Sequence, residues 1–177
     1  MRIIAGAFRG RVLADPRGNR THPMSEKIRG ALFNALGDIE GLTVLDAFTG
    51  TGSVAIEAVS RGAVHVMAID NDVDAFKCAS GNVVSLKLQE VITVLCTNAK
   101  TWSNNNQGRH YDVVIADPPF NEVNDTILEK IGRHVKPGSV YVLSLPADYS
   151  PRQNNDFTLI DAKSYGDAKL AFYRKIS

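Results

Sequence analysis

Apolar and polar positions follow two different periods along most of the chain. Short segments of six or seven residues, rich in Val, Ile and Leu, predict strands that are buried on both faces. Between them, apolar residues recur every three or four positions, which is the spacing of an amphipathic helix. The predicted strands are TVLDAF, VHVMAID, VITVLC, YDVVIAD and SVYVLSL, and the predicted helices are SVAIEAVSRG, VDAFKCASGNVVSL and VNDTILEKIGRHV. This alternation predicts an α/β fold with a mostly parallel, doubly wound sheet.

The two ends of the chain depart from the alternation. After Pro146, the segments FTLIDAKSYG and KLAFYRKI follow each other with no helix between them, which predicts an antiparallel C-terminal strand pair. Residues 1–23 indicate a strand pair or an irregular arm, and MSEKIRGALFNALG predicts a helix with Ser25 as its N-cap and Gly37 at its end. The run SNNNQG, Ser103–Gly108, indicates a polar loop.

Composition narrows the class of protein. With 177 residues, of which 44% are hydrophobic and 22% charged, the chain can form one domain with a full core. No apolar run approaches the roughly 18–20 residues of a membrane span, and the N-terminus lacks the apolar region of a signal peptide, so we expect a cytoplasmic protein. Cys78 and Cys96 form no C-x-x-C pair and the four histidines are scattered, so we expect no metal.

Charge is distributed unevenly along the chain. The net charge is only +1, but residues 1–29 carry +5 and the remainder carries −4. A basic N-terminal arm on a mildly acidic body indicates a phosphate backbone or another acidic partner, although a solvated basic tail would have the same composition.

A glycine loop follows the first strand of the alternation. The stretch LDAFTGTGSVAIEA contains G-x-G-x-x-A at Gly50, Gly52 and Ala55, and Asp70 ends the next strand, as in a dinucleotide fingerprint. An NAD-dependent oxidoreductase is therefore one alternative. However, Asp46 ends the first strand, where its carboxylate would repel a pyrophosphate and would suit a cationic ligand such as S-adenosylmethionine.

The pattern D-x-F-x-G-x-G resembles motif I of the Rossmann-like, class I methyltransferases. The resemblance implies that Asp46 takes the ammonium of S-adenosylmethionine, that Asp70 accepts from its ribose hydroxyls, and that Asn71 flanks the adenosine. Asn98, where the family more often has an acid, and Ala99 would frame the adenine. The implied cofactor-binding residues are Asp46, Ala47, Phe48, Gly50, Gly52, Asp70, Asn71, Asn98 and Ala99.

The stretch VVIADPPFNE places a carboxylate, two prolines and an aromatic ring at a strand end. It resembles the (Asn/Asp)-Pro-Pro-(aromatic) motif of methyltransferases that act on planar nitrogens. Asp117 and the Pro118 carbonyl would accept from an exocyclic amine, Pro118 and Pro119 would hold the chain extended, and Phe120 would stack on the extruded base. The alternative is that Asp117 caps a turn and the prolines end a strand.

Five segments in order resemble the bacterial small-subunit ribosomal RNA guanine-N2 methyltransferase family (RsmD-like): RIIAGAFRGRVL, HPMSEKIRGALFNAL, LDAFTGTGSVAIEAVSRGA, VVIADPPF and YGDAKLAFYRK. The resemblance implies methylation of guanine N2 in 16S ribosomal RNA. We expect the RNA to be within the small subunit or an assembly intermediate, and the protein to be a monomer. It also implies an RNA-contacting arm over residues 1–24 and a methyltransferase domain over residues 25–177. The implied RNA-binding residues are Arg2, Arg9, Arg11, Arg20 and Arg29.

The chain departs from the family where His22-Pro23-Met24 replaces the usual Arg-Pro-Thr, and where Thr49 replaces a commoner alanine. Adenine-N6 methyltransferases of DNA or RNA share D-P-P-(aromatic), and DNA enzymes of that type usually carry a further target-recognition region. Protein glutamine methyltransferases normally have Asn at the position of Asp117 and an added helical domain. Nicotinamide binding would favour the oxidoreductase alternative.

Overall fold

The computed structural model describes residues 1–15 and 23–177, and within them one seven-stranded sheet has the order β3-β2-β1-β4-β5-β7-β6. The strands are β1 Thr43–Ala47, β2 His65–Asp70, β3 Ile92–Cys96, β4 Tyr111–Ala116, β5 Val135–Pro146, β6 Phe157–Tyr165 and β7 Ala168–Lys175. The helices are α1 Glu26–Leu36, α2 Ser53–Ser60, α3 Val73–Ser85, α4 Ala99–Asn105 and α5 Asp125–Gly132. Strands β1 to β5 are parallel, and β7 lies antiparallel between β5 and β6.

The sheet is covered by helices on both faces. Successive residues of β1 divide between two cores: Val44 packs with Phe33 of α1 and Ile56 of α2, whereas Leu45 packs with Trp102 of α4 and Leu128 of α5. Alternate side chains of a strand point to opposite faces, so this division places α1, α2 and α3 on one face and α4 and α5 on the other. The predicted doubly wound α/β fold with an antiparallel C-terminal pair is confirmed.

The N-terminal segment forms a short antiparallel ribbon on the α1–α3 face. Arg2 and Val12 form an antiparallel bridge, and the Leu13 N–H donates to the Met1 carbonyl at 2.9 Å. Ile3 and Leu13 are buried in the same core as the helices of this face. The ribbon is therefore joined to the body by shared apolar burial.

Helix α4 was missed by the sequence reasoning, which predicted a polar loop over Ser103–Gly108. The first part of that run is helical because the Asn98 side chain caps the helix, accepting from the Thr101 N–H at 2.8 Å. Trp102 is buried, with its ring 4.7 Å from that of His134. An anchored aromatic and a capped first turn outweigh the low helix propensity of the asparagines.

Candidate active site

Three carboxylates meet at one edge of the sheet. In the register of the central strands, Ala47 of β1 is paired with Ile69 of β2 on one side and with Ala116 of β4 on the other. Asp70 directly follows Ile69, and Asp117 directly follows Ala116. The ends of parallel strands share one edge, where open α/β sheets bind their ligands, so Asp46, Asp70 and Asp117 come together there.

The glycine loop between β1 and α2 needs a left-handed backbone at three positions: φ is 67° at Phe48, 56° at Gly50 and 78° at Gly52. A Cβ at Gly52 would lie 3.2 Å from the Cβ of Ala79, so a glycine also lets α3 approach the loop. Phe48 is not a glycine, and strain of this kind clusters at functional sites. The loop therefore owes its shape to left-handed backbone positions and to the close approach of α3 at Gly52.

Asp46 is the most enclosed of the three acids. It is 1% exposed, and its Oδ2 accepts from the Thr49 hydroxyl at 2.6 Å. Burial, reinforced by the charges of Asp117 and Asp70, raises the pKa of Asp46 to about 7, although the Thr49 hydrogen bond opposes that change. Thr49, where the sequence departs from the family, therefore donates the hydrogen bond that holds the Asp46 carboxylate.

Asp70 fixes the conformation of the loop beside it. Its Oδ2 accepts from the Gly50 N–H at 2.8 Å, and its Oδ1 accepts from the Asp72 N–H at 2.9 Å. Burial raises the pKa of this carboxyl, and the backbone hydrogen bonds partly offset the change. Asn71, next along the chain, is exposed. Asp70, which was predicted to accept from the ribose hydroxyls, therefore also holds the glycine loop in its observed conformation.

Asn98 and Ala99 lie just beyond the end of β3, beside β2. The Thr97 N–H donates to the Asp70 carbonyl at 2.8 Å, which holds this segment next to the second acid. The Asn98 oxygen caps α4, so its amide nitrogen is the group better placed to meet a ligand. Ala99 is buried. Both residues stand at the same edge of the sheet as the glycine loop.

The segment Asp117–Phe120 leaves β4 alongside this loop. The Asp117 N–H donates to the Ala47 carbonyl at 3.4 Å, and the Glu122 N–H donates to the Pro119 carbonyl at 2.9 Å, closing a turn. Part of Asp117 is accessible, yet burial of the carboxyl raises its pKa to about 6, offset in part by the Ser144 hydroxyl.

The three residues after Asp117 differ in exposure. Pro118 is buried and Pro119 is exposed. The Phe120 side chain is 41% exposed, so an aromatic face is available to solvent beside the acids. The predicted constellation of carboxylate, prolines and ring is thus assembled at the mouth of the sheet.

The predicted RNA-binding arginines do not share one environment. Arg2, Arg9 and Arg11 are exposed on the N-terminal ribbon, and Arg20 lies outside the described residues. The turn of the ribbon packs on Ser60, whose carbonyl accepts from the Ala7 N–H at 2.8 Å. Ser60 ends α2, which has eight residues and is about 12 Å long, so Arg9 is at the end of α2 opposite to the glycine loop.

The prediction that Arg29 contacts RNA directly is inconsistent with the structure, because this side chain is buried. Arg29 is 0% exposed, its Nε lies 3.4 Å from Oε2 of Glu57, and its Nη2 donates to the Arg2 carbonyl. Burial lowers the pKa of Arg29, and the Glu57 charge opposes this effect. Its spacing from Leu32 and Phe33 puts Arg29 on the apolar face of α1, a signal that the sequence already contained.

Glu57 is a structural centre that the sequence reasoning missed. It is buried in α2, and its carboxylate accepts from the main-chain N–H groups of Ile4 and Ala5 at 2.9 and 3.0 Å and from Arg61 at 2.9 Å. Glu57 and Arg29 together fasten the N-terminal ribbon to two helices. No sequence motif marks this pair, because its members are separated by 28 residues.

The described residues 1–15 and 23–177 contain no group of three or more His, Cys, Asp or Glu side chains suited to a metal ion. Across the same residues, no helix has the length and apolarity needed to cross a membrane.

The strand order, the inserted antiparallel β7, the acidic glycine loop and the Asp-Pro-Pro-Phe turn define a Rossmann-like methyltransferase. A family profile described as Conserved hypothetical protein 95 matches residues 1–174, and the chain belongs to this family. The predicted likeness to the RsmD-like methyltransferases is confirmed.

Two relatives cover almost the whole chain. Ribosomal RNA small subunit methyltransferase D of Escherichia coli (strain K12) is 29% identical over 180 residues, covering 99% of this chain and 90% of that protein. The solved structure of the candidate methyltransferase yhhF from Escherichia coli has a TM-score of 0.88 and 26% identity, covering 99% of this chain and 98% of that one.

A third relative covers less. The tRNA1(Val) (adenine(37)-N6)-methyltransferase of Bacteroides fragilis (strain ATCC 25285) is 32% identical over 92 residues, which are 51% of this chain and 39% of that protein.

Proposed function

We propose that this protein transfers a methyl group from S-adenosylmethionine to the exocyclic N2 of a guanine in 16S ribosomal RNA. The observation that carries the proposal is the position of Asp117–Phe120 beside the acidic glycine loop of β1 and β2. Full-length similarity to a ribosomal RNA small subunit methyltransferase D supports the choice of RNA.

The chemistry of the site fits this cofactor. Three neighbouring carboxylates, two of them with pKa values raised to about 7 and about 6, suit a cationic ligand and disfavour a pyrophosphate. Asp46 would hold the ammonium, Asp70 the ribose hydroxyls, and Asn71, Asn98 and Ala99 the adenosine. Ala47, Phe48, Gly50 and Gly52 would form the backbone cradle. When bound, S-adenosylmethionine supplies an electrophilic methyl group on a sulfonium.

The Asp117–Phe120 segment would hold and orient the amine. The Asp117 carboxylate and the Pro118 carbonyl accept the two N–H groups, which favours a lone pair directed out of the base plane. The amine would lose one proton as the N–C bond formed and the methyl–sulfur bond broke, its electron pair staying on the sulfur of the departing thioether. A carboxyl with a pKa of about 6 is ionised at neutral pH and would be able to accept that proton. Orientation of this kind is worth up to about 7–11 kcal/mol, so no stronger base is needed.

RNA affinity would come from two sources. Phe120 offers an exposed ring for stacking on the extruded guanine, with about 1–3 kcal/mol expected from such a contact. Arg2, Arg9 and Arg11 offer exposed charges to phosphates along the ribbon, an interaction that weakens as salt rises. An RNA-contacting segment over residues 1–24, a monomeric state and a cytoplasmic location, where ribosomal subunits assemble, belong to the same proposal.

Adenine N6 is the second candidate acceptor, favoured by the similarity of half the chain to a tRNA adenine-N6 methyltransferase. The test uses purified protein, tritiated S-adenosylmethionine and small ribosomal subunits from a strain that lacks the gene. Label in N2-methylguanosine after nucleoside digestion is the expected result, and mature subunits, already modified, should take up little. Label in N6-methyladenosine would replace the proposal with its alternative.

A further inference from the structure

A buried amide on α3 joins the N-terminal ribbon to the glycine loop. Asn82 is 3% exposed, and its Nδ2 donates to the Thr51 carbonyl at 2.9 Å and to the Ala14 carbonyl at 3.0 Å. Its Oδ1 accepts from the Ala14 N–H at 2.9 Å. One side chain therefore binds the middle residue of Gly-Thr-Gly and the end of the ribbon at once.

Only an amide of this length satisfies these three partners. Two carbonyls require two N–H donors, and the Ala14 N–H requires an acceptor on the same group. A carboxylate at this position would place an oxygen against two carbonyl oxygens. An aliphatic side chain would leave the Thr51 carbonyl and the Ala14 N–H without this partner, and the Ala14 carbonyl would keep only the Cys78 thiol, 3.3 Å away. The three contacts that join the ribbon, α3 and the glycine loop, rather than helix propensity, therefore determine the residue type at position 82. We call this set of contacts the junction at Asn82.

A second contact reaches the same loop residue from the ribbon. The Thr51 hydroxyl donates to the sulfur of Met1 at 3.8 Å, and Met1 pairs with Leu13 next to Ala14. Thr51 lies between Gly50 and Gly52, whose left-handed backbones shape the loop. The orientation of the loop therefore depends on where the ribbon sits.

We infer that Asn82 is a positioning residue that couples RNA binding on the basic ribbon to cofactor binding at the glycine loop. This inference rests on the proposed function, because RNA is the partner assigned to the ribbon. RNA on the ribbon fixes Ala14, Asn82 transmits that position to Thr51, and the loop then binds cofactor more tightly. By linkage, cofactor tightens RNA binding by the same factor, for which about tenfold is typical of coupled sites.

Ser60 provides the matched control. Its hydroxyl also ties the ribbon to a helix, donating to the Ala5 carbonyl at 2.5 Å and accepting from the Phe8 N–H at 2.9 Å. It does so at the end of α2 remote from the glycine loop. Ser60→Ala therefore loosens the ribbon without touching the junction at Asn82.

The test is calorimetric titration of the full-length protein with S-adenosylhomocysteine, with and without a 16S ribosomal RNA transcript, for wild type, Asn82→Ala, Asn82→Asp and Ser60→Ala. We expect RNA to lower the cofactor Kd about tenfold in wild type and in Ser60→Ala, and less than twofold in both Asn82 variants. Without RNA, the Kd of the Asn82 variants should already be about tenfold higher. In turnover assays the KM for S-adenosylmethionine should rise while kcat at saturating cofactor stays near wild type.

Three results would overturn the inference, and they are distinguishable. If wild type binds cofactor but RNA leaves its Kd unchanged, the two sites are not coupled. Asn82 is merely structural if wild type binds cofactor and both Asn82 variants bind it with the same Kd. The only defect of these variants would then be a lowered melting temperature, as in Ser60→Ala. If wild type itself fails to bind S-adenosylhomocysteine, the proposed function falls and the inference falls with it. Where neither Asn82 variant folds, Asn82→Gln, which keeps the amide but is too long for the three contacts, takes their place.

Discussion

Burial raises the pKa of Asp46, and the neighbouring Asp117 carboxylate adds to that rise through its charge. The two acids end adjacent parallel strands, β1 and β4, and the Asp117 N–H donates to the Ala47 carbonyl next to Asp46. Two like charges in an enclosed pocket repel each other unless a cation neutralises them. The affinity for the cofactor, its pH dependence and the stability of the free protein should therefore all depend on Asp46 and Asp117.

Cofactor affinity should rise with pH through neutrality. In the free protein the pKa of Asp46 is about 7, so below that pH the carboxyl is neutral and must lose a proton to pair with an ammonium. We expect the S-adenosylhomocysteine Kd to increase as pH falls from 7.5 to 5.5, by up to about tenfold per pH unit, measured by calorimetry. Asp46→Asn should bind weakly with little pH dependence, and tighter wild-type binding at low pH would contradict this assignment.

The same acid should destabilise the free protein at alkaline pH. Because its folded pKa is raised above that of an unfolded aspartate, the folded state holds a proton between about pH 4 and 7 that the unfolded chain has lost, so stability falls as pH rises through that window. Asp46→Asn should therefore melt about 2–4 °C above wild type at pH 8, equivalent to about 1 kcal/mol. The difference should shrink at pH 5.

Asp112→Asn is the control for that comparison. Although burial alone would raise it, the pKa of Asp112 is lowered by the Lys136 ammonium and by Thr43. Its stabilising charge is present at pH 8, so neutralising Asp112 should lower the melting temperature there. Equal shifts in the two variants would mean that the acidic pocket has no special effect.

Phe120→Ala should weaken productive RNA binding. Loss of a stacked ring worth about 1–3 kcal/mol predicts a fall of about 5- to 150-fold in kcat/KM for the RNA substrate. Calorimetry should find the affinity for S-adenosylhomocysteine unchanged. Leu159→Ala removes another exposed apolar side chain, 54% exposed on β6, and should leave turnover as in wild type. Equal turnover in wild type and Phe120→Ala would show that the ring does not stack on the substrate base.

Arg29 and Arg9 should give opposite phenotypes. Arg29→Met breaks a buried ion pair and leaves Glu57 under-neutralised, so the free energy of unfolding from urea titration should drop by about 3–5 kcal/mol. Arg9→Ala removes an exposed charge, so stability should hold while RNA affinity falls and the slope of log affinity against log salt decreases by about one. A stable Arg29 variant with specifically weakened RNA binding would restore its predicted contact with RNA.

Sequence pattern was sufficient for the strands, the central helices and the acids that end them, because each depends on local periodicity and on a shared sheet edge. It was insufficient for α4, whose asparagine-rich residues become helical only with Trp102 buried against His134. It also could not place β7 inside the sheet between β5 and β6, since hairpin pairing fixes neighbours but not which strand is outermost.

The candidate site divides in the same way. Asp46, Asp70 and Asp117 could be predicted because each stands at a strand end in a recognisable motif. Asn82 and Glu57 could not, because no spacing rule connects them to the partners outside their own helices, which lie 31 to 68 residues from Asn82 and 28 to 53 residues from Glu57. The candidate site residues therefore lie in recognisable motifs, whereas the polar contacts that position them connect residues far apart in the sequence.

The central claim, that Asp117 holds the acceptor amine, is tested most directly by single-turnover methylation of small subunits from a strain lacking the gene. Wild type and Asp117→Ala are each saturated with tritiated S-adenosylmethionine, and their affinity for S-adenosylhomocysteine is measured in parallel. We predict cofactor affinity within a few-fold of wild type and N2-methylguanosine formation slower by about 100-fold or more. A variant that forms N2-methylguanosine at close to the wild-type rate would contradict the claim.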